Sequence, residues 1–400
     1  MTGPTTIERD CVAHAKALPR LSDVEHWASI NSGTRNLPGL ASMAGVLADA
    51  FAALPGEIAL VDPAPVDQVG TDGITRALDH GRHLHLVVRP AAPVQMLFTG
   101  HMDTVYPADH PFQHCARRDD GMLGGPGVAD MKGGLAVMLA ALTAIEASPA
   151  AARLGYEIVV NSDEETGSLS SSALLLRAAR GKVAGLTYEP ALADGTLAGA
   201  RGGTGNFSLV VRGRSAHAGR NPEEGRNALV AAAALAVTLS EAAGAGLTVN
   251  PARIEGGGPN NVVPDLAILR VNFRPQALED ITLARTAIDT AVANVARDHD
   301  VRIETHGSFN RPPKPIDPAT AALFDRVKGA GADLGLAIGW RATGGVCDGN
   351  TIAAAGVPVV DTMGVRGGAI HSAHEFMIPD SLGERAGLSA LTILRIIGEP

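Results

Sequence analysis

The sequence Tyr156-Glu-Ile-Val-Val-Asn-Ser-Asp-Glu-Glu-Thr-Gly167 joins a short apolar run to three consecutive carboxylates. The β-branched run Tyr156–Val160 predicts a buried strand, and the acidic residues follow at its end. Three adjacent carboxylates repel one another unless solvent or a cation offsets their charge, so the segment is either a solvated turn or a metal site. Neighbouring carboxylates on an irregular segment point in different directions. Glu165 could therefore ligate a metal ion while Glu164 acts as a general base on a bound water.

Length and composition limit the class of protein. Four hundred residues predict roughly two to three domains, and an apolar content of 46% favours a large aliphatic core over disorder. The net charge of −9 comes without a basic stripe, which argues against nucleic acid or an anionic membrane as a partner. The scattered Cys11, Cys115 and Cys347 indicate neither a disulfide framework nor a cysteine-based zinc site. Because residues 1–20 are charged and have no apolar stretch, we expect no signal peptide and a soluble, cytoplasmic protein.

Other strands of the first half also end in polar residues. The strand-like run Gln95–Phe98 leads into His101 and Asp103, and the run Val183–Tyr188 ends at Glu189. In open α/β sheets, ligands bind at the carboxyl ends of the strands. The alternation of strands and helices predicts an α/β catalytic domain with a mixed, mostly parallel sheet covered by helices.

A glycine-rich segment, Gly121–Gly134, precedes an apolar helix predicted for Leu135–Ile145. It lacks the Gly-Lys-Ser/Thr ending of a phosphate-binding loop, so no nucleotide site is predicted. The glycines favour either a surface turn or a tight backbone around Asp130. Near the other end of the chain, His371-Ser-Ala-His-Glu375 is the remaining cluster of His and Glu.

The sequence pattern changes between residues 204 and 312, where two long helices and about four strands carry no cluster of candidate ligands. This pattern predicts an α+β domain of ferredoxin-like type. We therefore expect residues 204–312 to be inserted into a catalytic domain made of residues 1–203 and 313–400.

Five side chains supply nitrogen and oxygen donors of the types that suit zinc: His101, Asp130, Glu165, Glu189 and His371. Five ligands are too many for one tetrahedral ion with an open position, but they fit two ions if one carboxylate bridges and a shared water completes the set. Glu164 would take a proton from that water and pass it to the leaving nitrogen. Asp103 is placed to accept the other imidazole N–H of His101. The chain has no Gly-x-Ser-x-Gly motif, which argues against an acyl-enzyme.

Several motifs, in order along the chain, resemble the zinc metallopeptidase and amidohydrolase family of clan MH, of the carboxypeptidase G, aminoacylase and acetylornithine deacetylase type. The motifs are Gly100–Val105, Gly127–Gly134, Asp163–Ser168, Tyr188–Pro190, Gly213–Gly219 and His371–Glu375. The segments Tyr188–Pro190 and Asn260–Pro264 are most similar to the glutamate carboxypeptidase branch.

The resemblance implies two zinc ions, for which Co²⁺ or Mn²⁺ can substitute. It implies that His101 and Glu189 hold one ion, and that Glu165 and His371 hold the other. Asp130 would bridge the ions, with a cis peptide to Met131. The ligand in the last motif would be its first histidine, not His374.

The resemblance also makes the inserted domain a lid and dimerisation domain, so we expect a homodimer. His217 and Asn261 match lid residues that contact the scissile carbonyl, often in the partner subunit's site. Arg274 and Arg311 fall near positions that meet a substrate carboxylate. The alternatives are that the arginines form surface ion pairs and that the loop histidine is simply solvated.

The favoured function is a hydrolase that cuts a peptide or N-acyl amide bond beside a free carboxylate, as a carboxypeptidase does. An N-acyl-amino-acid deacylase and a dipeptidase are alternatives, because the metal chemistry is identical and only the pocket differs. A non-catalytic metal- or peptide-binding relative is disfavoured, since Glu164 and every ligand are present. The partner would be a small peptide or N-acyl amino acid, with no nucleic acid or membrane. We interpret the loop Gly344–Gly349 as a wall of the site and not as the carrier of a nucleophilic Cys347.

Overall fold

The computed structural model describes residues 3–398, which form ten α-helices and nineteen strands. The helices are α1 (Thr6–Ala17), α2 (Leu21–Ser29), α3 (Leu37–Phe51), α4 (Gly133–Glu146), α5 (Ser172–Ala179), α6 (Ala228–Ser240), α7 (Leu278–His299), α8 (Pro318–Asp333), α9 (Asp348–Ala354) and α10 (Ser381–Ile397). The strands are β1 (Glu57–Val61), β2 (Asp67–Val69), β3 (Thr75–Ala77), β4 (His83–Val88), β5 (Val94–His101), β6 (Ala116–Arg117), β7 (Leu123–Gly124), β8 (Leu154–Asn161), β9 (Ala184–Thr187), β10 (Ala191–Leu192), β11 (Leu197–Arg201), β12 (Thr204–Arg212), β13 (Leu247–Gly256), β14 (Leu266–Pro275), β15 (Arg302–Arg311), β16 (Trp340–Thr343), β17 (Val359–Val360), β18 (Arg366–Gly368) and β19 (Phe376–Met377).

A six-stranded sheet, in the order β1-β4-β8-β5-β9-β17, carries the residues predicted to form the site. The strands β8, β5, β9 and β17 run parallel to one another. At the edge of the sheet, β4 runs antiparallel to β8, and β1 runs antiparallel to β4. Because helices cover both faces, the central strands β5 and β8 are buried along most of their length. This mixed, mostly parallel sheet confirms the predicted fold class.

The two faces of the sheet pack against different helices. On one face Phe98 and Tyr156 contribute to the main core with residues of α1, α3, α4, α8 and α10. On the other face Leu97 and Val159 pack with α5 and α9, as the alternation of side chains along a strand requires. By length and composition alone the segment Val128–Glu146 could cross a membrane, but 89% of its 18-residue apolar window is buried inside the protein, as in a core helix.

The inserted segment forms a four-stranded antiparallel sheet in the order β13-β14-β12-β15, joined in the chain order β-α-β-β-α-β. Phe207 and Phe273 meet edge to face in the core between this sheet and helices α6 and α7. The arrangement agrees with the expected ferredoxin-like α+β unit. Strand β12 begins at Thr204 and β15 ends at Arg311, close to the predicted domain limits. The division into two domains stays a prediction, and its outer limits at residues 1 and 400 lie outside the described residues.

A hairpin formed by β2 and β3, which the sequence did not predict, packs on the inserted sheet. Arg270 Nη2 donates to the carbonyl of Val69 at 2.8 Å, and Arg212 Nη2 donates to that of Gly73 at 2.7 Å. Val69 also packs against the buried Val210. The strands of the hairpin have three residues each and are mostly exposed, so they carry little of the apolar pattern that reveals a strand.

Candidate metal centre and substrate cavity

The parallel strands β5, β8 and β9 end at one edge of the main sheet and bring predicted ligands together there. His101 is the last residue of β5, and Glu189 follows β9. Glu164 and Glu165 lie in a 3₁₀ turn, Glu164–Thr166, just after β8. The sheet topology thus produces the convergence that the recurring polar strand ends predicted.

Asp130 lies between the two predicted ligand histidines. Its Oδ1 is 3.1 Å from His101 Nε2, and its Oδ2 is 3.3 Å from His371 Nε2. Glu165 Oε2 is 3.1 Å from the same His371 nitrogen, and Glu189 Oε2 is 3.8 Å from His101 Nε2. The five side chains therefore divide into the two predicted groups, with one oxygen of Asp130 facing each.

The chemistry of this donor set fits divalent metal. His101, Asp130 and Glu165 bring ligand atoms within 4.8 Å of one another. Burial and the neighbouring Asp130 raise the pKa of Glu165 to about 8, and burial likewise raises that of Glu189 to about 8. Hydrogen bonds with Asp130 and Glu165 raise the pKa of His371 to about 11, so in this arrangement protons supply the positive charge that the carboxylates need. A metal ion bound by neutral imidazole and carboxylate would replace those protons.

Glu375 holds the loop that carries Asp130. This buried carboxylate accepts hydrogen bonds from three backbone N–H groups of residues 127–130, at 3.0 to 3.1 Å, and from Tyr106 Oη at 2.8 Å. The peptide between Asp130 and Met131 is cis, as the resemblance implies. Sequence reasoning gave Glu375 no role, although its place four residues after His371 was a usable signal.

Asp103 connects His101 to the acidic turn. Nδ1 of His101 is 3.0 Å from the backbone carbonyl of Asp103 and 3.4 Å from its carboxylate. The expected partner is therefore present, but the main chain makes the shorter contact. The Asp103 carboxylate accepts the backbone N–H of Glu164 at 3.1 Å, that of Glu165 at 3.2 Å and the hydroxyl of Thr34 at 2.7 Å. One residue thus positions both the imidazole and the turn.

Glu164 is buried beside Arg311. Burial raises the pKa of Glu164 to about 7, against the opposing effect of the Arg311 charge, whose Nη2 lies 2.7 Å from Oε1. A pKa near neutrality suits a group that must both accept and donate a proton. The same Arg311 nitrogen contacts Ser168 Oγ at 2.7 Å and Asp348 Oδ1 at 3.2 Å. Since the guanidinium has these buried protein partners, contact of Arg311 with substrate stays a prediction.

Asp163, the first of the three consecutive carboxylates, has a structural role. It is buried and accepts the hydroxyls of Ser170 at 2.8 Å and Ser171 at 2.6 Å. These bonds hold a compact turn, and helix α5 begins after it, at Ser172. The acidic segment is therefore largely buried, and the solvated-turn interpretation of the sequence is wrong.

A cavity of about 260 Å³ opens from this centre. One wall carries Asp130, Glu164, Glu165, Glu189 and His371. Most of the remaining lining comes from β10, β11, β16 and the loop after β16, and it includes Arg201, Arg341 and Cys347. Burial raises the pKa of the Cys347 thiol well above its usual value, which keeps it protonated and unreactive. This supports the interpretation of the loop as a wall.

The structure does not bring the predicted lid residues to this cavity. His217 and Asn261 are exposed on neighbouring loops of the inserted domain, where Ala218 donates its N–H to the Asn261 carbonyl, and neither lines the cavity. Arg274 lies on β14, where its Nε donates to Asn272 Oδ1 at 2.8 Å, and it too is outside the lining. The roles predicted for these side chains stay predictions.

Comparisons with known proteins identify relatives of this chain. The family described as Peptidase family M20/M25/M40 matches residues 97–395. Carboxypeptidase G2 from Pseudomonas sp. (strain RS-16) is 32% identical over 69% of this chain and 68% of its own length. Succinyl-diaminopimelate desuccinylase from Psychrobacter sp. (strain PRwf-1) is 28% identical over 72% and 76%. The crystal structure of a tripeptidase from Staphylococcus aureus shares the fold, with a TM-score of 0.72, 23% identity and 98% of each chain covered.

Proposed function

Because this chain belongs to peptidase family M20/M25/M40 and is a metal-dependent hydrolase of amide bonds, we propose that it cuts a peptide or N-acyl amide beside a free carboxylate. The observation that carries the proposal is the position of Glu164. It is a buried carboxylate with a pKa raised to about 7, and together with His101 and Glu189 it belongs to one cluster of potential ligands. That arrangement suits water activation beside a metal ion.

Carboxypeptidase action on a C-terminal residue is the favoured form of this reaction, and the similarity to carboxypeptidase G2 supports it. Removal of an N-acyl group from an amino acid is the alternative, which the similarity to the desuccinylases and to an N-acetyl-L-citrulline deacetylase supports. A dipeptidase is a third form. The three share the bond that is cut and differ in the groups on either side of it.

We propose two zinc ions as the native metal, with Co²⁺ or Mn²⁺ able to substitute. His101 and Glu189 would hold one ion, Glu165 and His371 the other, and Asp130 would lie between them. When bound, such ions would polarise the scissile carbonyl and lower the pKa of water. The pairing of each histidine with one oxygen of Asp130 supports this assignment.

In the proposed reaction Glu164 moves the proton. Its carboxylate would accept a proton from the attacking water and deliver it to the nitrogen of the leaving amine. Asp103 fixes the backbone of the turn through hydrogen bonds to the N–H groups of residues 164 and 165, so the carboxylate is held in place. The charge of Arg311 opposes the effect of burial, which favours the ionised form that a base requires.

The inserted domain would serve as a lid and as the contact between two copies of the chain. Large apolar side chains are exposed on α6 and α7, among them Val237 and Leu283 with relative exposures of 60% and 63%, which supports a homodimer. His217 and Asn261 would then contact the scissile carbonyl after closure or across the dimer. We also propose a cytoplasmic protein that acts on small molecules, with no nucleic acid or membrane partner.

The experiment that tests this function is a hydrolysis screen of zinc-loaded protein. The substrates are dipeptides and N-acyl amino acids with a free C-terminal carboxylate, together with the matching C-terminal amides. We expect release of a free amino acid from substrates with a free carboxylate and little or none from the matched amides. Equal rates for acids and amides would contradict the requirement for a carboxylate. Glu164→Gln protein, with its metal content verified, is the control for catalysis by this site.

A further inference from the structure

Arg341 is a cation in the cavity wall without a protein partner. It lies on β16, lines the same cavity as the proposed metal ligands and is exposed. Within residues 3–398 its guanidinium makes no hydrogen bond or ion pair. Arg201, which lines the same cavity, differs because it donates to Asp361 at 2.7 and 3.1 Å and to the Gly345 carbonyl at 3.1 Å. Of these two arginines, Arg341 is the one with its donors free for a ligand.

The charges around Arg341 favour an anion at this end of the cavity. Asp361 is shared by two buried cations, Lys314 and the cavity-lining Arg201. These three side chains together therefore carry a net positive charge. The exposed Asp194 takes hydrogen bonds from Thr196, which lower its pKa together with a smaller effect of the Arg341 charge, but it forms no ion pair with Arg341. An anion that reached Arg341 would therefore find a guanidinium whose donors make no hydrogen bond or ion pair within residues 3–398.

Part of the cavity lining is apolar. Leu192, Leu197, Val346 and Ile370 line the cavity together with the polar groups. The volume of about 260 Å³ equals that of roughly nine liquid waters, which is room for a short chain. A ligand that matches this surface has a short apolar stem and a terminal anion.

The position of Arg341 in the chain indicates which half of the substrate it faces. The residues proposed to bind the carboxylate of the leaving amino acid, Arg274 and Arg311, lie on β14 and β15 of the inserted sheet. Arg341 lies on β16, which pairs in parallel with β11, with Ala198 opposite Arg341, and thus outside that sheet. Neither Arg274 nor Arg311 lines the cavity that Arg341 lines, so this cavity is left for the other half of the substrate.

We propose that Arg341 is a specificity-determining residue that binds a terminal carboxylate on the acyl half of the substrate. The preferred substrates would be amino acids acylated by a short dicarboxylic acid. The proposal rests on the proposed amide hydrolysis and deepens it, because it names the chemistry of the acyl group.

The test compares two N-acyl derivatives of one amino acid that differ only in the end of the acyl chain. The succinyl derivative ends in a carboxylate, and the succinamoyl derivative ends in an uncharged amide of nearly the same shape. For metal-loaded wild type we expect kcat/KM to be at least about tenfold higher with the succinyl compound. Arg341→Gln should lower kcat/KM for that compound by roughly 10- to 100-fold, mostly through KM, and leave the succinamoyl compound within about twofold.

Two further variants serve as controls. Arg341→Lys keeps the charge and should retain part of the preference, because a lysine cannot form the paired hydrogen bonds of a guanidinium. Arg177→Gln removes an exposed arginine from α5, outside the cavity lining, and should leave both substrates unchanged. Equal losses for both substrates in folded, metal-loaded Arg341→Gln, or an unchanged preference, would overturn the proposal.

A binding measurement separates this inference from the proposed function. Calorimetry with succinate and with its monoamide reports on the acyl subsite without turnover. Suppose that the protein hydrolyses no amide but binds succinate more tightly than the monoamide, and that Arg341→Gln abolishes this difference. That result would refute the proposed function and support the role of Arg341. Hydrolysis of both acyl compounds at equal rates, with equal binding of succinate and its monoamide, would support the function and refute the role of Arg341.

Discussion

Nη2 of Arg311 lies 2.7 Å from Oε1 of Glu164. Arg311 is the last residue of β15 in the inserted sheet, whereas Glu164 lies on the turn after β8 of the main sheet. The inserted segment therefore contributes directly to the charge around the proposed base. Both side chains are buried, so solvent screens the interaction little.

The first prediction concerns the pH dependence that this contact creates. The charge of Arg311 lowers the pKa of Glu164, so Arg311→Met should raise that pKa, by about 1–3 units. A base works when deprotonated, so the acidic limb of the kcat/KM profile should move to higher pH by the same amount. Rates measured between about pH 5 and pH 11 check this. A rise in KM at every pH with no movement of the limb would instead identify Arg311 as a substrate contact alone.

The second prediction separates two adjacent carboxylates. Glu164→Gln should retain the metal and lower kcat by about 10²–10⁴-fold, because proton transfer is lost. Glu165→Gln should lower metal affinity, because its Oε2 is one of the donors beside His371. Turnover and metal content, measured on the same preparations, distinguish the two effects. Near-normal turnover of Glu164→Gln would show that another group is the base.

The third prediction concerns Glu375, which holds the Asp130 loop. Glu375→Gln replaces one acceptor oxygen by an N–H₂ group that faces backbone N–H donors, so buried donors lose their partners. We expect metal affinity to fall by about 10–100-fold and unfolding free energy to fall by about 1–3 kcal/mol. The exposed neighbour His374 provides the matched control, and His374→Gln should change neither quantity. A competitive chelator titration and thermal unfolding measure the two effects.

The fourth prediction links Asp361 to stability in acid. Burial alone would raise the pKa of Asp361, but the charges of Arg201 and Lys314 hold it at about 2. Because this folded-state pKa lies below the ordinary value of about 3.9, the stabilising effect is present above that value and is lost as pH falls towards 2. Asp361→Asn leaves two buried cations without their counter-charge and should cost about 3–5 kcal/mol at neutral pH.

Denaturant unfolding of wild type and Asp361→Asn between neutral pH and pH 2 checks the sign of this effect. The difference in unfolding free energy should shrink as the medium becomes more acidic, since the wild-type carboxylate is then protonated. A constant difference over that range would show that Asp361 acts by packing and not by charge.

The sequence predicted the main sheet well and its small additions poorly. Long apolar strands such as β5 and β8 are buried on both faces, so a continuous apolar run in the sequence predicts them. Strands β6, β7, β10 and β19 have two residues each, so they have no periodicity to detect. Two of their pairings, β7 with β19 and β10 with β18, also join segments that lie far apart in the chain.

For the site, residue chemistry and strand ends predicted the candidate donors, which the fold does bring together. The supporting contacts were harder to predict, because each one joins distant segments. Glu375 meets the backbone of residues 127–130, and Arg311 meets Glu164. Arg341 was missed for a different reason, since a lone arginine carries no signal until a cavity forms beside it.

The fifth prediction concerns the lid histidine. His217 is exposed and outside the cavity lining, so a role in catalysis requires closure or a second subunit. If it stabilises the oxyanion, His217→Ala should lower kcat by about 10²–10³-fold with metal content unchanged. If it acts across a dimer, mixing His217→Ala with Glu164→Gln should create one intact site per heterodimer and restore part of the activity. Confirmed heterodimers without recovery would restrict the histidine to its own subunit, and wild-type kcat in His217→Ala would remove its role.

The measurement that tests the central claim most directly is turnover as a function of metal content. Protein stripped by a chelator, with elemental analysis to verify the metal remaining, should hydrolyse no amide substrate that the loaded protein cleaves. Activity should return as zinc is added and should reach its maximum at two ions per chain, because the donors around Asp130 form two groups. Full activity in verified metal-free protein would contradict the account.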